Sequence, residues 1–428
     1  MNQSRIQVSL DVGTSTVKVI IGEMLNDTLN IIGVANVPSE GLKKGSIIDI
    51  DQTVRSIRKA VDQAERMIGM EIRKVLVGIP AHQVQLIDCH GVVAVNSENR
   101  EISNEDVQRV IDAAQVISLP PDREIINVIQ KQFIVDSQDE IHDPRGMIGV
   151  RLEMEGLLAT GSRTQLLNIL RCVEKAGLHI TDIVLQPLAS GEIALSKDEK
   201  NLGAALIDIG GGTTTVTYFE DGFIQGTSVL PIGGHNVTRD ISIVLRTTTD
   251  DAEIIKTRHG HAFYEMASAD DYFEVPVIGS NDKQRFNQLQ VAEIIEARMV
   301  EILELAQYEL HKMGANDIPG GYVLTGGGSN LPGLLELAQT IFQNRVRVAI
   351  PDYIGAREPQ FTTAVGIIKY YHYLSRFYGQ ENEPTVVPVE SYYDKKPGLG
   401  AGKQRETTES RENGRLQRVK KFLGSFFE

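Results

Sequence analysis

The strongest constraint on the fold is an internal echo. Asp11-Val12-Gly13-Thr14-Ser15-Thr16 closes one apolar, strand-like run, and Asp208-Ile209-Gly210-Gly211-Gly212-Thr213-Thr214 closes another. In each, an Asp at a strand end precedes a turn rich in Gly and hydroxyls, and a second β-branched run follows. Two such turns predict two similar half-domains facing each other across a cleft. Gly lets backbone N–H groups close on phosphate oxygens with no Cβ in the way, and Ser and Thr hydroxyls add donors. Candidate phosphate contacts are therefore Gly13, Thr14, Ser15 and Thr16 from the first turn, and Gly210, Gly211, Gly212 and Thr213 from the second. Asp11 and Asp208 are candidate Mg²⁺ ligands, acting through water because Mg²⁺ keeps much of its hydration shell. Lys18 is a point charge for a β- or γ-phosphate. A single turn of this kind is also an ordinary hairpin; the repetition is what points to a polyphosphate held between two lobes.

A third element completes the set. Tyr322-Val323-Leu324-Thr325-Gly326-Gly327-Gly328-Ser329-Asn330-Leu331-Pro332-Gly333 reads as strand, Gly-rich turn and then a helix over 334–342. Gly326, Gly327 and Gly328 would let a base and its ribose approach the backbone. Alone this is an ordinary β–α loop; in this order and spacing the three elements are specific together.

With these loops the chain resembles the actin/Hsp70/sugar-kinase ATPase superfamily over roughly residues 5–375. The stretches Leu185-Gln186-Pro187-Leu188-Ala189-Ser190-Gly191 and Thr362-Thr363-Ala364-Val365-Gly366 look like its two connecting helices. A short basic amphipathic C-terminus narrows the resemblance to the FtsA family of bacterial cell-division proteins. The resemblance implies an α/β, actin-like two-lobed ATPase fold with an inserted α/β subdomain and a C-terminal amphipathic helix. The implied divisions are 1–80 with 161–202 as the first lobe, and 81–160 as an inserted interaction subdomain. Residues 203–233 with 300–380 form the second lobe, and 234–299 a small subdomain bordering the adenosine and a partner groove. A flexible linker (381–414) and a membrane-targeting helix (415–428) follow. Implied cofactors are ATP and Mg²⁺. Asp250-Asp251-Ala252-Glu253-Ile254-Ile255-Lys256 resembles the A-E-x-x-K helix whose Glu and Lys hold ribose and adenine, here Glu253 and Lys256. Arg298 borders the groove that, in this family, receives the C-terminal peptide of the tubulin-like protein FtsZ; a surface ion pair with Glu301 is an equal alternative.

Composition narrows the function classes. With 428 residues and 41% apolar content, the chain is expected to build two large lobes. A net charge of −14 argues against general nucleic-acid binding. Cys89 and Cys172 each sit in an apolar run and are expected to be reduced core residues of a cytosolic protein. The start Met-Asn-Gln-Ser-Arg has no signal-peptide apolar region, and no apolar run approaches the roughly 20 residues that span a bilayer. His259-Gly260-His261 has no further His or Cys nearby in sequence, so no metal site is expected there.

Periodicity predicts the elements between the loops. Residues 6–37 read as three strands with turns at Gly13 and Asn26-Asp27, 51–70 as a helix, and 74–79 as a strand. Residues 81–160 read as strand, helix, strand, strand, the helix opened by Ser103-Asn104-Glu105-Asp106. A helix is expected over 164–177 with Leu166, Leu167, Ile169, Leu170 and Val173 buried. Residues 234–287 read as irregular and polar, and 288–313 as a long amphipathic helix.

The tail carries its own signal. In Arg415-Leu416-Gln417-Arg418-Val419-Lys420-Lys421-Phe422-Leu423-Gly424-Ser425-Phe426-Phe427-Glu428, the six large apolar residues fall within an arc of roughly 140° at helical spacing. Arg418 and Lys420 flank that arc, Lys421 lies opposite, and Arg415 can snorkel from the helix start. This is the pattern of a helix lying in a membrane interface. Four cations on an anionic leaflet contribute on the order of 1 kcal/mol each, a weak anchor that polymerisation would multiply. Docking on a protein partner is the alternative.

Three functions compete. The first is a cytoskeletal adaptor that binds ATP with at most weak hydrolysis. It polymerises with itself and tethers FtsZ, among other division proteins, to the cytoplasmic face of the cell membrane at the division site. The second is a soluble sugar or acid kinase, which needs an Asp base. Gln186 stands at the first connecting helix instead and can orient a water; with Asp208 it forms the candidate catalytic pair. The third, an Hsp70-like chaperone, lacks the length for a substrate-binding domain after residue 378.

Overall fold

The computed structural model describes residues 5–25, 27–279, 283–377 and 386–388. A meander of β1 (Arg5–Val12), β2 (Thr16–Leu25) and β3 (Thr28–Pro38) leads through a short ladder, β4 (Leu42–Lys43) with β5 (Ser46–Ile47), to α1 (Ile50–Ile68), β6 (Met70–Ile72) and β7 (Lys74–Ile79). Next come β8 (Gln85–Ala94), α2 (Asn104–Ala114), β9 (Arg123–Val135), β10 (Gln138–Ile141) and β11 (Arg151–Ser162), then α3 (Arg163–Lys175), β12 (His179–Leu185), α4 (Gln186–Ala194) and α5 (Lys197–Leu202). The second half begins with β13 (Ala204–Ile209), β14 (Thr214–Glu220), β15 (Phe223–Leu230), α6 (Gly234–Leu245) and α7 (Thr249–His259). It continues with β16 (Tyr272–Pro276), β17 (Lys283–Asn287), α8 (Gln288–Lys312), β18 (Gly321–Thr325), α9 (Leu334–Phe342), β19 (Val346–Val348), α10 (Thr362–Phe377) and β20 (Val386–Pro388).

The sequence echo is a structural duplication. One five-stranded sheet has the order β12-β7-β1-β2-β3 and the other, read in the same sense, β19-β18-β13-β14-β15. In each, an antiparallel meander is extended by two strands parallel to its first. The turns match as well: the Gly13 N–H donates to the Thr16 carbonyl at 3.0 Å, and the Gly210 N–H to the Thr213 carbonyl at 2.9 Å. Asp11 pairs in register with Lys18, and Asp208 with Thr215. Equivalent positions thus carry a cation in one lobe and a hydroxyl in the other.

Local chemistry sets the helix ends. Asp49 caps α1 by accepting the Gln52 N–H at 2.9 Å, and the left-handed Gly69 stops it. Ser103 and Asp106 form the expected capping box on α2. Three apolar cores result. Leu10, Ile20, Ile57 and Leu76 belong to the first lobe, Ile207, Ile295, Ile302 and Leu324 to the second. Val110, Phe133, Met154 and Leu158 form a separate core under the four-stranded sheet of β8–β11.

α4 and α10 join the lobes. A Cβ at Gly366 of α10 would lie 1.9 Å from the Ala189 carbonyl oxygen of α4, so the crossing is close enough to exclude any side chain. The Ser9 hydroxyl donates to the Ala364 carbonyl at 2.7 Å and fixes α10 on the first sheet. At its far end α10 reaches the inserted block, where the Phe377 ring stacks on Phe133 with centroids 5.9 Å apart.

Four sequence expectations change. Residues 234–287 are not irregular: they hold α6, α7 and the β16–β17 hairpin. Val237, Ile241 and Leu245 bury one stripe of α6, a spacing masked by the polar residues between them. The inserted block has an extra strand, β10, formed on the chain reversal at Asp136 and Ser137. Leu167 is half-buried, because α3 turns it away from the apolar stripe of Leu166, Ile169, Leu170 and Val173. Within the expected flexible segment 381–414, Val386–Pro388 pairs antiparallel with β6, a position where two β-branched residues find a free edge. The tail residues Arg415, Leu416, Arg418, Val419, Lys420, Lys421, Phe422, Leu423, Phe426 and Phe427 lie outside the described residues.

Gly366→Ala is expected to destabilise the protein by about 1–3 kcal/mol by forcing α4 and α10 apart. Urea unfolding checks this; an unchanged midpoint would show that the crossing can relax.

Candidate functional site

The two hairpin turns meet tip to tip. A Cβ on Gly211 would lie 1.7 Å from Ser15 Oγ, and one on Gly212 2.6 Å from Thr14 Cγ2. Only glycines allow this approach. The start of α6 is tied to the second turn, with the Gly234 N–H donating to the Gly210 carbonyl at 3.0 Å and the His235 N–H to the Gly211 carbonyl at 2.7 Å. His235 Nε2 then lies 2.8 Å from Ser15 Oγ, a side-chain bond from one lobe to the other.

The floor is built from the two strand-end carboxylates and the first residues of the connecting helices. Asp11 accepts from Lys18 Nζ at 3.1 Å and from Gln186 Nε2 at 2.8 Å. Asp208 accepts from the Thr363 hydroxyl at 3.2 Å. That uses the single Thr363 proton, so Ser190, 2.8 Å away on α4, donates to Thr363. Burial pushes the Asp208 carboxyl up, the Asp11 charge adds to this, and Lys18 and Thr363 oppose it; the result is about 6. The asymmetry follows from the register: Lys18 stands directly beside Asp11, whereas the partner of Asp208 is Thr215.

The remaining walls come from the second lobe. Gly326 packs on Asp208, where a Cβ would lie 2.2 Å from Oδ1, and its φ of 84° also requires Gly. The Thr325 and Thr362 hydroxyls meet at 2.8 Å and join this loop to α10. On the α7 side, Lys256 Nζ is 2.7 Å from Glu253, 2.9 Å from Thr238 Oγ1 and 3.3 Å from the Gly234 carbonyl oxygen. Burial works against the Glu253 charge, but Lys256 and Thr238 outweigh it and hold this carboxyl below its ordinary value.

These parts enclose a cavity of about 420 Å³, within the size range of small-molecule sites. Of the residues proposed from sequence, Asp11, Gly13, Thr14, Ser15, Thr16, Lys18, Gln186, Asp208, Gly210, Gly211, Thr213, Glu253, Lys256, Gly326, Gly327 and Gly328 all line it. Gly212 does not; it backs onto Thr14. Arg298 lies off the cavity on α8, held by Asp240 at 2.6 Å and by Glu301. His82, His235 and Thr363 line the cavity without having been singled out as site residues. For His235 a signal existed, since Gly233-Gly234 immediately precedes the apolar period of α6. His82 had none: it reaches the cavity by packing its ring on Gly45.

The donor set fits a hard cation. Two carboxylates share one floor, the charge of one raises the other, and Lys18 is bonded only to the first. A cation between oxygens would relieve that repulsion, and with two protein ligands it would keep most of its water.

The comparisons agree with this architecture. A family model described as "Cell division protein FtsA" matches residues 205–366, and one described as "SHS2 domain inserted in FTSA" matches residues 81–160. The chain is 60% identical over 381 residues to the "Cell division protein FtsA" of Bacillus subtilis, covering 89% of this chain and 87% of that one. Among solved structures, a "PilM-PilN type IV pilus biogenesis complex" chain aligns with TM-score 0.58 at 17% identity, covering 84% of this chain and 97% of that one. MreB5 of Spiroplasma citri bound to ADP aligns with TM-score 0.54 at 14% identity, covering 87% and 98%. The fold is the actin-like ATPase fold.

Because the folded Asp208 carboxyl titrates near 6 against an ordinary 3.8, its contribution to stability is full below 3.8 and is lost as pH rises through 6. Asp208→Asn is therefore expected to stabilise the protein, without nucleotide or divalent cation, by on the order of 1–3 kcal/mol at pH 7.5. The gain should vanish toward pH 4. Denaturant unfolding across that range checks the sign; a gain that grows on acidification would contradict it.

Proposed function

From the premise that the chain belongs to the FtsA family of cell-division proteins, we propose that it is an ATP-binding, actin-like filament protein that tethers FtsZ filaments to the cytoplasmic face of the cell membrane at the division site. The observation that carries the nucleotide part is the convergence of three Gly-rich loops and the Glu253–Lys256 pair on one cavity. In this reading the backbone and hydroxyls of residues 13–16, Gly210, Gly211 and Thr213 cradle the phosphates, with Lys18 as counter-charge. Gly326, Gly327 and Gly328 pack on the adenosine, and Glu253 and Lys256 hold its ribose and base. Asp11 and Asp208 hold the waters of Mg²⁺, which when bound supplies charge neutralisation along the polyphosphate. Gln186, fixed by its bond to Asp11, orients a water near the last phosphate and supports at most slow hydrolysis. A kinase needs a carboxylate base there, and this amide cannot serve.

The tethering part rests on the sequence of the tail. Its basic amphipathic pattern suits an anionic leaflet, and filament formation makes many weak anchors firm. Arg298 borders the groove for the FtsZ C-terminal peptide. Its charge is already shared by Asp240 and Glu301, so in this reading it contributes specificity at the rim more than affinity.

Sedimentation with anionic liposomes and ATP tests the tether. The full chain is expected to pellet and to carry FtsZ with it, whereas a chain ending at Gly414 and the variant Phe426→Glu remain in solution. All three pelleting alike, or none, would contradict the tail's role.

A further inference from the structure

The Ser15–His235 bond lies where the two phosphate turns touch, and no role assigned above uses it. Ser15 sits at the tip of the first turn and His235 opens α6 behind the second. His235 is held in place through its backbone, whose N–H donates to the Gly211 carbonyl at 2.7 Å. Its Nε2 has Ser15 Oγ at 2.8 Å. Desolvation by the cleft walls, then the nearby Lys256 charge, hold the ring below its ordinary value, with Glu253 opposing, so the imidazole is neutral and carries one N–H.

Resting on the ATP-binding reading, we propose that His235 is a positioning residue that aims the Ser15 hydroxyl at the terminal phosphate, and so makes the site discriminate a nucleoside triphosphate from a diphosphate. The chemistry requires a particular tautomer. With the proton on Nε2, the imidazole donates to Ser15 Oγ. The serine proton is then free to point into the cavity as a donor to a phosphate oxygen. A nucleotide with its base on Gly327 and Gly328 enters the paired turns phosphate-first, and its last phosphate comes to the tip where Ser15 and Gly211 meet. A diphosphate stops short of that contact. The same bond spans the two lobes, so the phosphate that engages Ser15 also engages, through His235, the first turn of α6.

The test compares equilibrium affinities for Mg·ATP and Mg·ADP, by calorimetry on the full chain, for wild type, His235→Phe, His235→Gln, Ser15→Ala and the double variant Ser15→Ala/His235→Phe. Phe keeps the ring but loses the donor; Gln places an amide N–H where Nε2 was. His235→Phe and Ser15→Ala are each expected to weaken ATP by about tenfold and ADP by less than about twofold, the effect of one hydrogen bond. The double variant should be no worse than either single one, and His235→Gln should retain most of the wild-type ATP affinity. Equal weakening of ATP and ADP, additive losses in the double variant, or Gln behaving like Phe would overturn the inference and leave the ATP-binding reading standing. Wild type binding neither nucleotide would remove both.

Discussion

The close crossing of α4 and α10 is the constraint on which the rest of the molecule depends. Gly366 lets the Ala189 carbonyl approach to a distance that no side chain would permit. That contact locks the two helices against each other, and their N-terminal halves carry the polar groups under the cavity. Gln186 reaches Asp11, while Ser190 and Thr363 form a relay to Asp208. Each carboxylate is thus held by its own strand and by a helix that also touches the other lobe. A small rotation of one sheet against the other would have to disturb these bonds together.

The duplicated sheets explain why the site has two different halves. Both lobes present an Asp, a Gly turn and a β-branched return strand in the same register, but only the first lobe has a lysine opposite its Asp. The second carboxylate is left without a direct cation, and burial together with its twin raises it. A hard cation, as proposed, would complete that half. α10 carries the consequence outward: its first turn touches Asp208 through Thr363, and its last residue stacks in the core of the inserted block.

Much of this was legible in the sequence because the signals were local. The strand-turn-strand echo, the Ser103 capping box and the period of α8 each depend on residues close together in the chain, and each gave the element found. The irregular reading of 234–287 failed because α6 buries only a narrow stripe, Val237, Ile241 and Leu245, between polar residues. Gly212 was grouped with its neighbours by motif, yet the turn directs it toward Thr14 and not into the cavity. His82 and Thr363 enter the site through contacts across long sequence separations, with Gly45 and Asp208, that no local pattern encodes. β20 was hidden in a polar stretch, and its pairing with the edge of β6 spans a sequence separation that no local pattern encodes.

In the proposed function one nucleotide is held by both lobes at once. Hydrogen exchange of the full chain with and without Mg·ATP tests this most directly. The account predicts that backbone amides of residues 13–16 and 210–213 gain protection together, along with those of 326–328, at the same nucleotide concentration. Protection confined to one turn, or absent from both, would contradict it.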